Sequence, residues 1–148
     1  MNFEFDRPEL STINCYIVNK MTIQHTLFVC TTCASTWKDG KRVGESGGEK
    51  LLAQLSQLQK NWQLEREFPI KPVSCMSSCS SPCSVSFAAP RKHVYLFGNL
   101  EPEEATAEAV LECAGQYYSQ PEGMLSWNQR PQQLKNGVIA RIPPFSQS

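Results

Sequence analysis

Two short clusters of cysteine constrain this chain more than any other feature. Five of its seven cysteines lie in "CTTC" at positions 30–33 and in "CMSSCSSPC" at positions 75–83, whereas Cys15 and Cys113 stand apart. Each cluster follows a segment with β-branched and aromatic residues, "HTLFV" before the first and "EREFPIKPVS" before the second. Short apolar segments of this kind are typical of strands. We therefore expect each cluster to begin at the C-terminal end of a strand.

Length and charge narrow the class of protein. The 148 residues suit one domain with a core large enough to fold without disulfides. Basic and acidic residues number 14 each, which argues against a nucleic-acid-binding protein. No segment approaches the roughly 20 apolar residues of a membrane-spanning helix, so we expect a cytoplasmic protein that binds neither nucleic acid nor membrane. In that reducing compartment, an odd number of cysteines favours metal binding or thiol chemistry over structural disulfides.

The order of the remaining segments predicts the fold class. Ser46 and Glu49 have the spacing of a capping box, and leucines recur at helical spacing after them. Residues 65–74 contain two prolines and predict an irregular or edge strand. "SVSFAA" and "HVYLFG" predict a hairpin, and residues 101–115 predict a second helix that stops at Gly115. A strand-helix-strand unit followed by a hairpin and a helix indicates an α/β protein with a thioredoxin-like sheet.

The chain divides into three parts on this interpretation. Residues 1–22 form a flexible N-terminal extension, residues 23–115 form the thioredoxin-like domain, and residues 116–148 form an irregular C-terminal extension packed on the domain. Within the last part, "GVIARI" suggests a short strand, and its aromatic residues and Arg130 favour packing over the sheet rather than docking of a partner. Residues 34–44 are predicted to be a loop. A homodimer is a possible assembly of the chain.

Thiols from two adjacent loops at one end of a sheet would form a metal site. Thiolates are strong ligands for a [2Fe-2S] cluster and for a tetrahedral zinc ion. "CTTC" has the spacing of zinc sites, but "CMSSC" has a three-residue gap and is surrounded by serines that could donate hydrogen bonds to cluster sulfurs. We therefore favour a [2Fe-2S] cluster as the cofactor, with zinc as the alternative.

Several segments resemble a known family. "FVCTTC", "VSCMSSCSSPCSVSFAAPRKHVYLFGNLEPEEA" and "GMLSWNQRP" resemble an uncharacterised bacterial family of predicted cysteine-rich metal-binding proteins. The wider resemblance, over residues 25–143, is to thioredoxin-like [2Fe-2S] ferredoxins. This resemblance implies that Cys30, Cys75 and Cys79 are cluster ligands.

The fourth ligand is where this chain departs from the ferredoxins. They place their second cysteine farther along the first loop, whereas this chain offers only Cys33 there. The predicted cluster ligands are Cys30, Cys33, Cys75 and Cys79. Cys83 is a reserve metal ligand that could replace Cys33, but Pro82 opposes a helix that would keep Cys83 on the face of the other thiols. We therefore expect Cys83 to begin the hairpin as a buried neighbour.

The predicted function is that of an electron carrier rather than an enzyme, passing one electron between redox partner proteins that remain unidentified. A structural or carrier zinc protein is one alternative. A thiol-disulfide oxidoreductase is the other, because C-x-x-C on a thioredoxin-like fold is typical of disulfide exchange. We disfavour it because a loop separates "CTTC" from the helix N-terminus that would lower a cysteine pKa. Lys38, Lys41 and Arg42 could lower it instead, or offset the charge of a four-thiolate cluster.

The remaining candidates have ordinary structural interpretations. His25 and His93 each begin a strand candidate, and we expect both to be surface or hydrogen-bonded residues rather than ligands. Cys113, within the second helix, is expected to be a small buried apolar residue.

Overall fold

The computed structural model describes residues 24–145, which are organised around a five-stranded sheet. Its strands are β1 (Thr26–Cys30), β4 (Ile70–Val73), β5 (Val85–Ala88), β6 (Val94–Phe97) and β7 (Val138–Ile142). Their order across the sheet is β4-β1-β5-β6-β7. A separate two-stranded sheet consists of β2 (Thr36–Lys38) and β3 (Lys41–Val43). In the main sheet β1 is parallel to β4, and the other neighbours are antiparallel.

Two long helices complete the fold. Helix α1 (Gly47–Gln59) lies between β1 and β4 in the chain, and α2 (Glu104–Ser119) follows β6. The two helices contact each other, and α1 also contacts β1 and β4. This connection order confirms the predicted α/β fold with a thioredoxin-like sheet. Among residues 24–145, no helix is both long and apolar enough to cross a membrane.

The core lies between the helices and one face of the sheet. Alternate residues of the central strands are fully buried, and α1 adds leucines from its inner face. These residues are Leu27, Val29, Val85, Phe87, Tyr95, Phe97, Leu51 and Leu55. Phe68 and Tyr117 join Phe87 in an aromatic cluster whose ring centroids lie 5.6–6.0 Å apart. The alternation that predicted the strands thus corresponds to the face that is buried.

The structure corrects two predicted element bounds. Residues 36–43 form the β2–β3 hairpin, whereas we predicted a loop over 34–44. The second helix passes Gly115 and ends at Ser119, so the predicted stop at Gly115 is wrong. Burial explains the second difference, because Tyr117, two residues after Gly115, is fully buried and lies within the helix.

The C-terminal extension, residues 116–148, was predicted to be irregular but contains regular secondary structure. A 3-10 turn (Trp127–Gln129) and a short helix, α3 (Gln132–Lys135), precede β7, which confirms the strand predicted from "GVIARI". Arg130 fastens the segment: its Nη2 donates to Leu125 O at 2.9 Å, and its guanidinium lies 5.9 Å from the Tyr95 ring centroid. Arg130 therefore packs over the sheet, against Tyr95 of β6, as predicted.

Other parts of the predicted organisation stay predictions. The N-terminal extension, residues 1–22, lies outside the described residues, and Cys15 lies there with it. The division into residues 1–22, 23–115 and 116–148 is therefore kept as a prediction. In the tail, Trp127 is 52 % exposed and Phe145 is 90 % exposed, so these two aromatic side chains do not share the packing of Arg130.

The start of α1 depends on two glycines. The predicted capping box is present, with Glu49 N–H donating to Ser46 Oγ at 3.0 Å and Ser46 N–H donating to the Glu49 carboxylate at 2.9 Å. A Cβ on Gly48 would overlap the carbonyl oxygen of Cys30, and a Cβ on Gly47 would lie 2.8 Å from Cys83 Sγ. The first turn of α1 can approach the chain after β1 only because these positions lack side chains.

We expect Gly48→Ala to lower the free energy of unfolding by about 2 kcal/mol, because its methyl group must displace backbone. Gly115→Ala is the matched control: it adds the same methyl group to open space within a helix and should raise stability by about 1 kcal/mol. Urea denaturation of both variants measures the difference. Equal effects of the two substitutions would contradict the close approach at Gly48.

A buried histidine, His25, immediately precedes β1, whereas Cys30 is the last residue of that strand. His25 is 2 % exposed, and neither ring nitrogen has a hydrogen-bond partner, so the expectation of a surface or hydrogen-bonded residue is wrong. Its ring packs against Phe68 at 5.3 Å, Tyr117 at 5.9 Å and Tyr118 at 4.7 Å between centroids. Burial, and secondarily the positive charge of Lys92, lower the pKa of His25 from 6.5 to about 4. The imidazole is therefore neutral in the folded protein at neutral pH.

The lowered pKa predicts acid sensitivity with a defined window. Between pH 6.5 and about 4 the unfolded chain binds a proton at His25 that the folded chain does not, so stability is lost as pH falls through this range. We expect a loss of up to about 3 kcal/mol from this group, measured by urea denaturation at a series of pH values. His25→Leu should remove this component, whereas His93→Gln, which changes the chain's other histidine, should keep it. An unchanged pH dependence in His25→Leu would show that another group titrates.

Candidate functional site

The two cysteine loops lie side by side at one end of the sheet. Cys30 is the last residue of β1 and is paired in register with Val73, the last residue of β4. Thr31 N–H donates to Val73 O at 2.8 Å, and the hydroxyl of Thr32 donates to Ser74 O. Parallel strands end at the same edge, so this pairing brings the two loops together as predicted.

The second loop presents an exposed pair of thiols. Cys75 Sγ and Cys79 Sγ are 3.7 Å apart, and both residues are exposed. Ser77, between them, has a left-handed backbone with φ of 59° and donates its N–H to Cys75 Sγ at 3.3 Å. The hydrogen bond with Cys75, together with the nearby Cys75 and Cys30 sulfurs, raises the pKa of Cys79. The loop thus turns two sulfurs to the same side and directs a backbone donor at one of them.

The other three thiols of the two clusters are buried. Cys30, Cys33 and Cys83 are 1 %, 3 % and 1 % exposed. Cys33 Sγ lies 3.4 Å from the hydroxyl oxygen of Ser84. Burial raises the pKa of Cys33 and, with the neighbouring Cys33 and Cys30 sulfurs, raises the pKa of Cys83 to about 11. The structure therefore separates the five thiols into an exposed pair and a buried trio.

Cys30 differs from its buried neighbours in its electrostatics. Burial on its own would raise the pKa of the Cys30 thiol, but hydrogen bonds from the Cys33 side chain and from Thr32 outweigh that effect and lower it. Its sulfur lies 3.8 Å from Thr32 Oγ1 and 3.9 Å from Ser74 O. Among the buried thiols, Cys30 is thus the one whose surroundings favour the thiolate.

The N-terminus of α1 abuts the first loop, which corrects one argument from the sequence. Gly47 N–H donates to Ala34 O at 3.2 Å, Gly48 N–H donates to Cys33 O at 3.0 Å, and the Ser46 hydroxyl donates to Thr31 O. The segment after "CTTC" leaves as the β2–β3 hairpin and returns, so a long sequence separation does not keep the helix away. The paired glycines after Ser46 were the sequence signal for this contact, and we missed them.

Cys83 lies where the sequence predicted, at the entrance to the hairpin. Its backbone exchanges two hydrogen bonds with Leu100, at 3.1 Å and 3.2 Å, and Asn99 N–H donates to Ser81 O at 2.9 Å. These bonds fix the end of the second loop against the chain after β6. The predicted buried position of Cys83 is confirmed, and its part in a ligand set stays a prediction.

The hairpin after the first loop carries exposed basic and aromatic side chains. All six residues of β2 and β3 are exposed, and Trp37 is 66 % exposed. Arg42 pairs with Glu49 of the capping box at 2.7 Å. This ion pair ties Arg42 to the start of α1.

The described residues do not by themselves form a complete metal site. Within residues 24–145, no group of three or more His, Cys, Asp or Glu side chains is arranged so that it could hold a metal ion. The donor chemistry nevertheless suits a soft metal, since all candidate ligands are thiols on two adjoining loops and a backbone N–H already points at one sulfur. Which four thiols would serve as ligands stays a prediction.

The two remaining candidates lie away from these loops. Cys113 is fully buried in α2, and burial raises the pKa of its thiol to about 12, which confirms the structural interpretation. His93 Nδ1 lies 3.0 Å from Glu122 O, at the far end of the hairpin.

Comparison with known proteins identifies a family. No curated protein matches the chain. A solved structure of a thioredoxin-like [2Fe-2S] ferredoxin from Aquifex aeolicus is similar, with 18 % identity and a TM-score of 0.49, over 84 % of this chain and 98 % of that one. The family model described as "Protein of unknown function (DUF1636)" matches residues 27–144, a range that includes all of the sheet except Thr26, the first residue of β1, and both cysteine loops. The chain therefore belongs to the DUF1636 family.

Proposed function

We propose that this protein binds a metal centre through its cysteine loops and works in the cytoplasm as a one-electron carrier with a [2Fe-2S] cluster. The observation that carries the proposal is the exposed Cys75–Cys79 pair, 3.7 Å between sulfurs, on a loop hydrogen-bonded to the loop of Cys30. When bound, the cluster would supply one-electron redox chemistry at potentials set by its surroundings. The proposed ligands are Cys30, Cys33, Cys75 and Cys79.

The surroundings of the thiols support this proposal in two ways. A backbone N–H directed at a sulfur stabilises negative charge there, and Ser77 provides such a donor to Cys75. The exposure of Cys75 and Cys79 would leave one side of the centre accessible to a redox partner protein, whereas Cys30 and Cys33 anchor the other side in the core. A carrier needs this combination of a rigid side and an accessible side.

The choice of Cys33 over Cys83 rests on packing. The Cys83 sulfur faces the helix start, since a Cβ on Gly47 would come within 2.8 Å of it. Its backbone is held on both sides by Leu100. Cys33 lies in the same loop as Cys30, and its side chain contributes to the lowered pKa of the Cys30 thiol. Cys33 thus belongs to the loop that already supplies Cys30, whereas Cys83 would have to leave a position held by Leu100 and by the start of α1.

A thiol-disulfide oxidoreductase is the second candidate, and one observation favours it. The α1 N-terminus contacts "CTTC", and the pKa of Cys30 is lowered, as in proteins that exchange disulfides. However, Cys30 is only 1 % exposed, and the first N–H groups of α1 donate to carbonyl oxygens rather than to sulfur. A protein disulfide could not reach Cys30 without movement of the loop. A zinc-binding structural or carrier protein is the further alternative, because the same thiols suit zinc.

Single substitutions test the ligand set. We expect Cys30→Ser, Cys75→Ser and Cys79→Ser to lose most of the bound iron and acid-labile sulfide in anaerobically purified protein, because each removes a ligand. Cys83→Ser should keep both, with at most a shifted absorption spectrum. Cys113→Ser is the matched control for a buried thiol distant from the loops.

Two outcomes would contradict this assignment. A colourless protein with one zinc per chain, purified from iron-replete cells, would rule out the [2Fe-2S] proposal. Loss of iron in Cys83→Ser, together with its retention in Cys33→Ser, would show that Cys83 is the fourth ligand.

Redox behaviour separates the carrier from the oxidoreductase. We expect dithionite to reduce the holoprotein reversibly, and we expect the holoprotein not to catalyse reduction of the insulin disulfides, because metal occupies Cys30 and Cys33. Absorption spectra and an insulin-turbidity assay measure the two properties. Turnover of insulin by metal-free protein that Cys30→Ser abolishes would instead support the oxidoreductase.

A further inference from the structure

The Cys75–Cys79 pair has the geometry for a reaction of its own. A disulfide needs its sulfurs about 2.05 Å apart, so the observed 3.7 Å must shorten. Residues 74–79 belong to neither a strand nor a helix. The hydrogen bond that spans the turn, from Ser77 N–H to Cys75 Sγ, already draws the chain around the sulfur. Closing the gap therefore moves exposed side chains on an irregular segment and breaks no strand or helix.

Because Cys75 and Cys79 are exposed, a dissolved oxidant can reach these two thiols rather than the buried ones. An incoming molecule must reach a sulfur in line with the bond that breaks. Cys75 and Cys79 are exposed, whereas Cys30, Cys33 and Cys83 are at most 3 % exposed. Of the cysteines in the described part of the chain, only this pair offers two accessible sulfurs next to each other.

We infer that Cys75 and Cys79 form a reversible disulfide by exchange with a low-molecular-weight disulfide, and that this modification excludes metal from the site. The exclusion of metal rests on the proposed function, since it assumes that both cysteines are ligands. Formation of the disulfide depends only on the geometry and exposure of the pair. The oxidant class is a small disulfide of the glutathione type, which an exposed loop can admit.

The exchange balances in two steps. The sulfur of one cysteine attacks a sulfur of the small disulfide, so a mixed disulfide forms, the original S–S bond breaks, and one small thiol leaves. The second cysteine then attacks the protein sulfur of the mixed disulfide, and a second small thiol leaves. Two protein thiols are oxidised to one disulfide, one small disulfide is reduced to two thiols, and the two protein protons end on the released thiols.

A chemical cleavage site lies inside the expected ring and allows a direct test. Cyanogen bromide cleaves after methionine, and Met76 is between Cys75 and Cys79. The full-length, metal-free, reduced protein is incubated anaerobically with excess oxidised glutathione, its remaining thiols are alkylated, and it is cleaved. We expect the loss of two thiols per chain and a bond between fragments 22–76 and 77–124 that a reductant breaks.

Variants identify the sulfurs. Cys79→Ser should abolish the bond between the fragments and keep a mixed glutathione disulfide, whereas Cys83→Ser and Cys113→Ser should form the bond as the wild type does. Three results would overturn the inference: no loss of thiols, loss of thiols without a bond between the fragments, or a bond that persists in Cys79→Ser. The second result would indicate mixed glutathione disulfides or a disulfide within one fragment, such as Cys30 with Cys33.

A last comparison separates this inference from the proposed function. Iron and sulfide are offered to the glutathione-oxidised protein before and after reduction. We expect at least a tenfold lower uptake before reduction, because two of four ligands are missing, and full recovery after it. Equal uptake in the two states would overturn the exclusion. Failure of the reduced protein to bind iron or zinc would contradict the proposed function and the exclusion, while the disulfide result would stand.

Discussion

The site depends most on the contact between the first turn of α1 and the loop after β1. The first N–H groups of a helix have no partners within the helix and must find acceptors elsewhere. Here the carbonyl oxygens of Ala34 and Cys33 accept two of them, and Ser46 accepts a third. The loop that carries Cys30 and Cys33 is thereby fixed to a rigid element. Pairing of β1 with β4 then brings the second loop beside it.

The fold could be predicted from the sequence wherever burial leaves a regular pattern. The alternation in β5 and β6, the capping box at Ser46 and the leucine face of α1 each reflect a choice between core and solvent, and each is confirmed. The β2–β3 hairpin has no such pattern, because every one of its residues faces solvent. The end of α2 was missed for another reason: burial of Tyr117 outweighs the helix preference lost at Gly115, about 1 kcal/mol.

The site could be predicted only in part. Placement of the two cysteine clusters at one end of the sheet followed from strand order, which needs no side-chain detail. The separation into the exposed pair and the buried trio did not, because it depends on how Ser77 turns the second loop and on how closely Gly47 lets the helix approach Cys83. A sequence records that these residues are glycine or serine. It does not record which backbone atoms come within a few ångströms of them.

The hairpin between the first loop and α1 is a closed excursion of the chain. The chain leaves at Ala34 and returns at Gly47, whose N–H donates to the Ala34 carbonyl oxygen at 3.2 Å, and neither strand contributes to the core. Because the two ends are already joined, the length of the excursion enters the free energy of folding only through loop-closure entropy, which grows slowly with length. Residues 36–43 therefore form a natural position for insertions, deletions or a reporter peptide beside the cysteine loops, with the sheet left intact.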